Sequence, residues 1–203
     1  MNKPAFNSLD AVAVPLDRRN VDTDQIIPAR FLRKPRAAGM AAYLFHDLRW
    51  DPEGRERADF ILNEPLYRDA KILVARENFG SGSSREAAVY ALWDFGFKVV
   101  IAPSFGDIFS SNALKNGLLP VSLPTETVDA LLAELSAHPA MHIQVDLMSQ
   151  TVSAGASLKV RFEIDPFQKK LLLSGQDELG YTLDLAAKVS AFEAARANRE
   201  PWL

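Results

Sequence analysis

Three features of the sequence predict an α/β fold. Residues 71–75 and 98–102 are near-continuous apolar runs, the pattern of strands covered on both faces. Between them Ala88, Ala91, Leu92 and Phe95 recur at helical spacing, and Gly96 stands where a left-handed residue would end the helix. After Pro139, Ile143, Val145 and Leu147, and then Leu158, Val160, Phe162 and Ile164, alternate with polar neighbours as antiparallel strands with one buried face do. The first two features make a parallel βαβ unit with a right-handed crossover, and the third adds antiparallel strands.

The remaining elements follow in order. Residues 11–16 read as a strand, and residues 20–28 as a polar loop whose Asp22, Thr23 and Asp24 are types that bond back to nearby backbone. Residues 30–59 mix Arg, Gly and Asp with scattered aromatics, which predicts irregular structure with short helices. A helix is expected from Ser104 to about Asn116-Gly117, a strand over 118–121, and a helix capped by Thr125 and running to about Ala137. Helices over 167–173 and 185–199 close the chain. No internal repeat or low-complexity linker divides it, so residues 1–203 are expected to form a single domain.

Composition narrows the function. Almost half of the 203 residues are apolar, enough for a folded core, and 23 basic against 26 acidic side chains leave a net charge of −3. No overall basic field exists to hold nucleic acid or an anionic membrane, so neither is an expected partner. Residues 1–6 carry no hydrophobic signal core and no apolar run is long enough to span a bilayer, so a cytoplasmic location is expected. With no cysteine, the chain forms no disulfide, carries no thiolate nucleophile and offers no sulfur to zinc or iron. Any iron–sulfur cluster must belong to another chain.

One segment is not explained by core packing: Arg76-Glu77-Asn78-Phe79-Gly80-Ser81-Gly82-Ser83-Ser84-Arg85-Glu86, between the first apolar run and its helix. Gly80 and Gly82 permit a tight turn at the carboxyl end of a strand, and the next helix points unpaired amides and its positive dipole end into the same crevice. Phosphate and carboxylate are both accepted by such a site. A dinucleotide fingerprint would need glycine where Arg85 stands, a P-loop would need Gly-Lys-Ser/Thr, and a hydrolase elbow would need Gly-x-Ser-x-Gly. His46, His138 and His142 lie far off in sequence, which leaves a serine triad without support. Ser83 and Glu86 also fit a capping box, the hydroxyl bonding the Glu86 amide and the carboxylate returning to the Ser83 amide. Capping and anion binding both account for the residue types and can coexist.

Gly82-Ser83-Ser84-Arg85-Glu86, with Val21-Asp22-Thr23-Asp24-Gln25-Ile26-Ile27-Pro28 upstream and residues 100–109 and 116–120 downstream, resembles the swivelling domain of the aconitase superfamily. Within it, the pattern is similar to the 3-isopropylmalate dehydratase (isopropylmalate isomerase) small-subunit family, from about Val12 to Leu183. The resemblance implies a layered β/β/α domain that serves leucine biosynthesis as part of a heterodimeric hydro-lyase. It implies no cofactor on this chain and a [4Fe-4S] cluster in a large-subunit partner, without which the chain is inactive. The substrate class is a small diacid, 2-isopropylmalate and 3-isopropylmalate interconverting through 2-isopropylmaleate.

By the same resemblance Ser83 is the catalytic base, and Ser84 and Arg85 hold a substrate carboxylate, Arg85 by a charged fork that lysine does not reproduce. Thr23, Asp24, Gly80, Gly82 and Glu86 support the site. Arg30 is the candidate for the other carboxylate, with Arg33, Lys34 and Arg36 as competitors, and Phe31 and Leu32 are candidates to face the isopropyl group. No metal ligand is assigned. The chain departs from many relatives at Ser81, where they have cysteine, and at Ala87, where they have histidine. Ala87 keeps open a paralogous hydratase for another diacid, such as citraconate or a substituted malate; a non-catalytic carboxylate-binding module is the alternative of a different class.

Overall fold

The computed structural model describes residues 4–155, 158–200 and 202; residues 1–3 of the amino-terminal stretch lie outside it. Its spine is a seven-stranded mixed sheet in the order β4-β3-β2-β1-β5-β6-β7. The strands are β1 (Ser8–Leu16), β2 (Ile72–Ala75), β3 (Val99–Ala102), β4 (Leu119–Ser122), β5 (His142–Asp146), β6 (Thr151–Ala154) and β7 (Leu158–Arg161). β1 is shared by two kinds of pairing. Its second half runs parallel to β2, from Ala13 opposite Ile72 to Leu16 opposite Ala75, while its first half runs antiparallel to β5, from Ser8 opposite Asp146 to Val12 opposite His142.

The residue patterns explain the division. Every residue of β2 and β3 is buried, as strands with helices on both faces require, whereas β5 buries Ile143 and Val145 and exposes His142 and Gln144. His142 meets solvent and pairs at 2.7 Å with Asp10, its diagonal neighbour on β1. Two cores result. One side of the sheet packs Val14, Leu16, Leu73 and Val100 against α1 (Thr23–Ile26), α3 (Glu86–Phe95), α4 (Asp107–Lys115) and the segment 40–67. On the other, Ala13, Ile72, Val74 and Ile101 meet α5 (Thr125–Ala137) and the antiparallel strands. Residues 30–59 are irregular, as expected, with 3₁₀ turns and the short helix α2 (His46–Arg49), and further 3₁₀ turns continue to Tyr67.

Several boundaries differ from the sequence expectation. The helix expected from Ser104 starts at Asp107, because residues 103–106 are bonded across to the neighbouring loop: Ser104 Oγ accepts the Asn78 amide at 2.9 Å and Ser104 O the Phe79 amide at 3.0 Å. Thr125 does not cap α5; it is the first helical residue after Pro124, whose carbonyl takes the Thr127 and Val128 amides. The capping box is absent as well. Arg85 is the N-cap of α3 and makes no side-chain cap bond, and Glu86 turns to Asn116 instead. β6 and α7 (Glu178–Asp184) have no counterpart among the expected elements; α6 (Pro166–Ser174) and α8 (Ala186–Arg199) stand close to the expected terminal helices. Asp165 and Asp177 cap α6 and α7, with Pro166 preset at the first position of α6.

Candidate functional site

The loops that follow β1, β2 and β3 leave the carboxyl ends of neighbouring parallel strands, where open α/β sheets hold ligands. Backbone bonds join them. The Gly80 amide donates to Val21 O at 2.7 Å, the Thr23 amide to Ser81 O at 2.9 Å, and the Gly106 amide to Phe79 O at 2.9 Å. Phe79 also sets its ring edge-on to Phe105 and Phe109, with centroids 6.4 and 5.3 Å away. Gly80 has φ +71°, and a Cβ there would lie within 2.7 Å of three Phe109 carbons. Only glycine meets both conditions.

This weld fixes the serine pair. Asp22 caps α1 by accepting the Gln25 amide at 2.8 Å, which places Thr23 and Asp24 on the first turn facing residues 81–85. The Thr23 hydroxyl is buried, at 1 % exposure for the residue, and lies 3.2 Å from both the Ser83 carbonyl and the Ser83 Oγ. A hydroxyl has one proton and two lone pairs, so Thr23 donates to one of these oxygens and can accept the Ser83 proton while donating to the carbonyl. Ser83 and Ser84 themselves are exposed.

Arg85 lies beneath them, its side chain 18 % exposed, and forms an ion pair through Nη1 with Asp24 Oδ1. Arg85 holds the Asp24 carboxyl below the usual carboxylate range, against a smaller opposing effect of desolvation; the Ala29 amide, 3.2 Å from Oδ1, adds to the lowering. Asp24 thus fixes one edge of the guanidinium. The arrangement offers an exposed hydroxyl, a buried hydroxyl behind it, an oriented guanidinium and the uncapped first turn of α3. Such a set can bind a carboxylate and hold or accept a proton beside it.

The other expected residues are placed as follows. Gly82, at φ +90°, is exposed and faces Asp22 and Thr23. Glu86 accepts the Asn116 side-chain amide at 2.8 Å and faces the Tyr90 hydroxyl, whose pKa is raised by burial first and then by Glu86. Arg30 is not in contact with the serine loop: both terminal nitrogens bond Asp47, one at 2.9 Å, and its guanidinium lies 4.6 Å from the Phe31 ring. Phe31 stacks on Tyr43 at 4.4 Å, and Leu32 is 40 % exposed. Arg36 sits 3.6 Å above the Tyr90 ring, a contact the sequence did not reveal. Asn116 and Tyr90 carried no local signal of their roles, although Asn116 belongs to the downstream motif. The chain has no cysteine, and the described residues form no group of three or more His, Asp or Glu able to hold a metal. This donor set does not fit an iron–sulfur cluster.

Comparison with known proteins assigns the family. The model described as the aconitase C-terminal domain matches residues 3–126, and LeuD_N matches residues 129–166. The 3-isopropylmalate dehydratase small subunits of Phenylobacterium zucineum and Paramagnetospirillum magneticum are 50 % and 48 % identical to the chain, each over 98 % of both sequences. That of Dinoroseobacter shibae is 46 % identical over the same share. A crystal structure of 3-isopropylmalate dehydratase (LeuD) from Methanocaldococcus jannaschii superposes with a TM-score of 0.67 at 26 % identity, covering 91 % of this chain and 98 % of that one. With motif order, sheet architecture and near-full-length identity in agreement, the chain belongs to the 3-isopropylmalate dehydratase small-subunit family of the aconitase superfamily.

Proposed function

We propose that this chain is the small subunit of a heteromeric hydro-lyase that interconverts 2-isopropylmalate and 3-isopropylmalate through 2-isopropylmaleate in leucine biosynthesis, acting in the cytoplasm as one swivelling domain. The observation that supports it best is the exposed Ser83 hydroxyl backed by buried Thr23 and flanked by the Arg85–Asp24 pair. Ser84 and Arg85 hold one carboxylate of the diacid, with Asp24 as the positioning residue for the guanidinium. Ser83, as its alkoxide, takes the proton from the carbon next to that carboxylate. The C–H electron pair becomes the alkene bond as hydroxide leaves the neighbouring carbon, and hydration runs the same path backwards.

A Thr23 hydroxyl turned to donate toward Ser83 Oγ favours the charged form of Ser83. Arg85 stabilises the negative charge that develops on the carboxylate as the proton leaves. A [4Fe-4S] cluster in the large subunit supplies the Lewis acidity that the departing hydroxyl needs. Ser83, Ser84, Asp24 and Glu86 are all exposed, an open half-site suited to completion by that partner.

The test is reconstitution with the large subunit and measurement of 2-isopropylmaleate by absorbance. Ser83→Ala should lower kcat about a hundredfold or more with assembly intact, as loss of a general base does. Unchanged turnover would remove Ser83 from the mechanism, and diacid binding by the isolated chain with no turnover in any complex would favour a carboxylate-binding module.

A further inference from the structure

Resting on the reading that the chain is the small subunit of a heteromer, we propose that the helices α7 and α8 are a second contact for the large subunit, docking by an apolar strip that continues the face of the open half-site. No residue of α7 or α8 is buried, and the main neighbour of α8 is α7 itself. A 14-residue helix is marginal in water even when rich in alanine, as α8 is, so one that hides no side chain needs a surface to lie on. The accessible surface of the chain points the same way. It is 11039 Å², where a compact chain of 22.4 kDa exposes about 9,400 Å². The excess is larger than the ~800 Å² that one partner brings to a standard interface.

The strip has a fixed direction. Tyr181 sets its ring edge-on to Phe167 at 5.1 Å and lies 4.5 Å from the Lys170 ammonium, which seats the inner side of α7 on α6. Leu179 and Leu183, one turn apart, share the opposite side and are exposed. Val189 and Phe192 share a face of α8 and are exposed as well, Phe192 to 62 %. Single exposed apolar residues need no explanation, but large ones gathered on one helical pair form a patch of the kind that marks a protein contact. What the patch adjoins identifies the occupant. α4 starts at the serine loop, where the Gly106 amide bonds Phe79 O, and its exposed Ile108, Ser111 and Lys115 follow one another along a single face. Lys115 and Leu179 then line the same groove between α4 and α7. Nine residues of helix span about 14 Å, so a partner that closes over Ser83 at one end of α4 needs only that reach to lie on α7 at the other.

The experiment measures the affinity of the full chain for the purified large subunit by titration calorimetry, comparing Leu183→Asp, Phe192→Asp, Phe192→Ser and Met148→Asp. Met148 is as exposed as the strip, at 64 %, but sits in the turn between β5 and β6. Leu183→Asp and Phe192→Asp should each bind about tenfold or more weakly, Phe192→Ser should lose affinity in the same direction, and Met148→Asp should stay within about twofold of wild type. Circular dichroism of every variant should match wild type, and saturating large subunit should return kcat to within about twofold, since none of these side chains touches substrate. Affinities within about twofold of wild type for both Leu183→Asp and Phe192→Asp, or an equal loss from Met148→Asp, would overturn the assignment. So would variants that only split a self-associated form of the isolated chain, which would give the strip to a second copy. A wild-type chain that binds no large subunit would instead sink the heteromer reading, and this inference with it.

Discussion

Replacing Gly80 by alanine should destabilise the chain by about 2–5 kcal/mol, and two other glycines divide that figure into its causes. At φ +71°, alanine meets the left-handed penalty of about 1–2 kcal/mol. The new methyl also drives into Phe109, which is buried and packed against Phe79 and Phe105, so its ring has no empty space to enter. Overpacking of this kind costs about 1–3 kcal/mol. Gly54 shares the positive φ, +77°, but nothing lies within 4 Å of its added methyl, so Gly54→Ala isolates the backbone cost. Gly106 has an ordinary φ of −63° while its methyl would come 2.6 Å from Gly80 O, so Gly106→Ala isolates the steric one. The assay is urea unfolding of the purified chain followed by circular dichroism, and in a thermal scan Gly80→Ala should melt roughly 4–20 °C lower, at about 2–4 °C per kcal/mol for this size. If Gly80→Ala and Gly54→Ala fall within about 0.5 kcal/mol of each other, Phe109 yields freely and the three loops are not the rigid mount described for Ser83.

Thr23→Val keeps the buried shape and deletes the hydroxyl; kcat of the complex should fall about tenfold or more, and an unchanged kcat would show that Ser83 needs no partner there. For Asp24 the sign is that of a lowered carboxylate: the Arg85 pair contributes fully above the ordinary Asp value near 3.9 and is lost as pH falls through the lower folded value. A carbon NMR titration should therefore place Asp24 below that ordinary value, and Arg85→Gln should return it; a normal midpoint in the wild type would contradict the pair. Asn116→Asp sets a second carboxylate against Glu86 and should weaken diacid binding by the reconstituted complex; unchanged binding would detach Asn116 from the site.

The parallel core was readable because its strands are buried on both faces and so are apolar without interruption, as in residues 72–75 and 99–102. The site was readable as a segment but not as a set of contacts. Ser83 and Glu86 have the spacing of a capping box, yet the partner that Glu86 takes is 30 residues away and the one that Ser83 takes is 60 away. No local pattern encodes such choices. The same cause moved the start of α4, since Ser104 looks like a cap until the loop that captures it is in place. β6 was not legible because Thr151-Val152-Ser153-Ala154 has one large apolar residue and little alternation. Arg30 was the nearest basic candidate in sequence, and Asp47, which claims it, lies across an irregular loop whose path has no periodicity.

The divided pairing of β1 has a consequence for biosynthesis of the chain. This strand leaves the ribosome well before its neighbours, which arrive with residues 72–75 on one flank and 142–146 on the other. During translation its first half therefore waits with unpaired amides and carbonyls for more than a hundred residues, a sticky edge open to other nascent chains. Closing so wide a loop is also entropically slow. Truncation before residue 142 should yield aggregates rather than a smaller folded unit, and chaperone demand should peak late in synthesis.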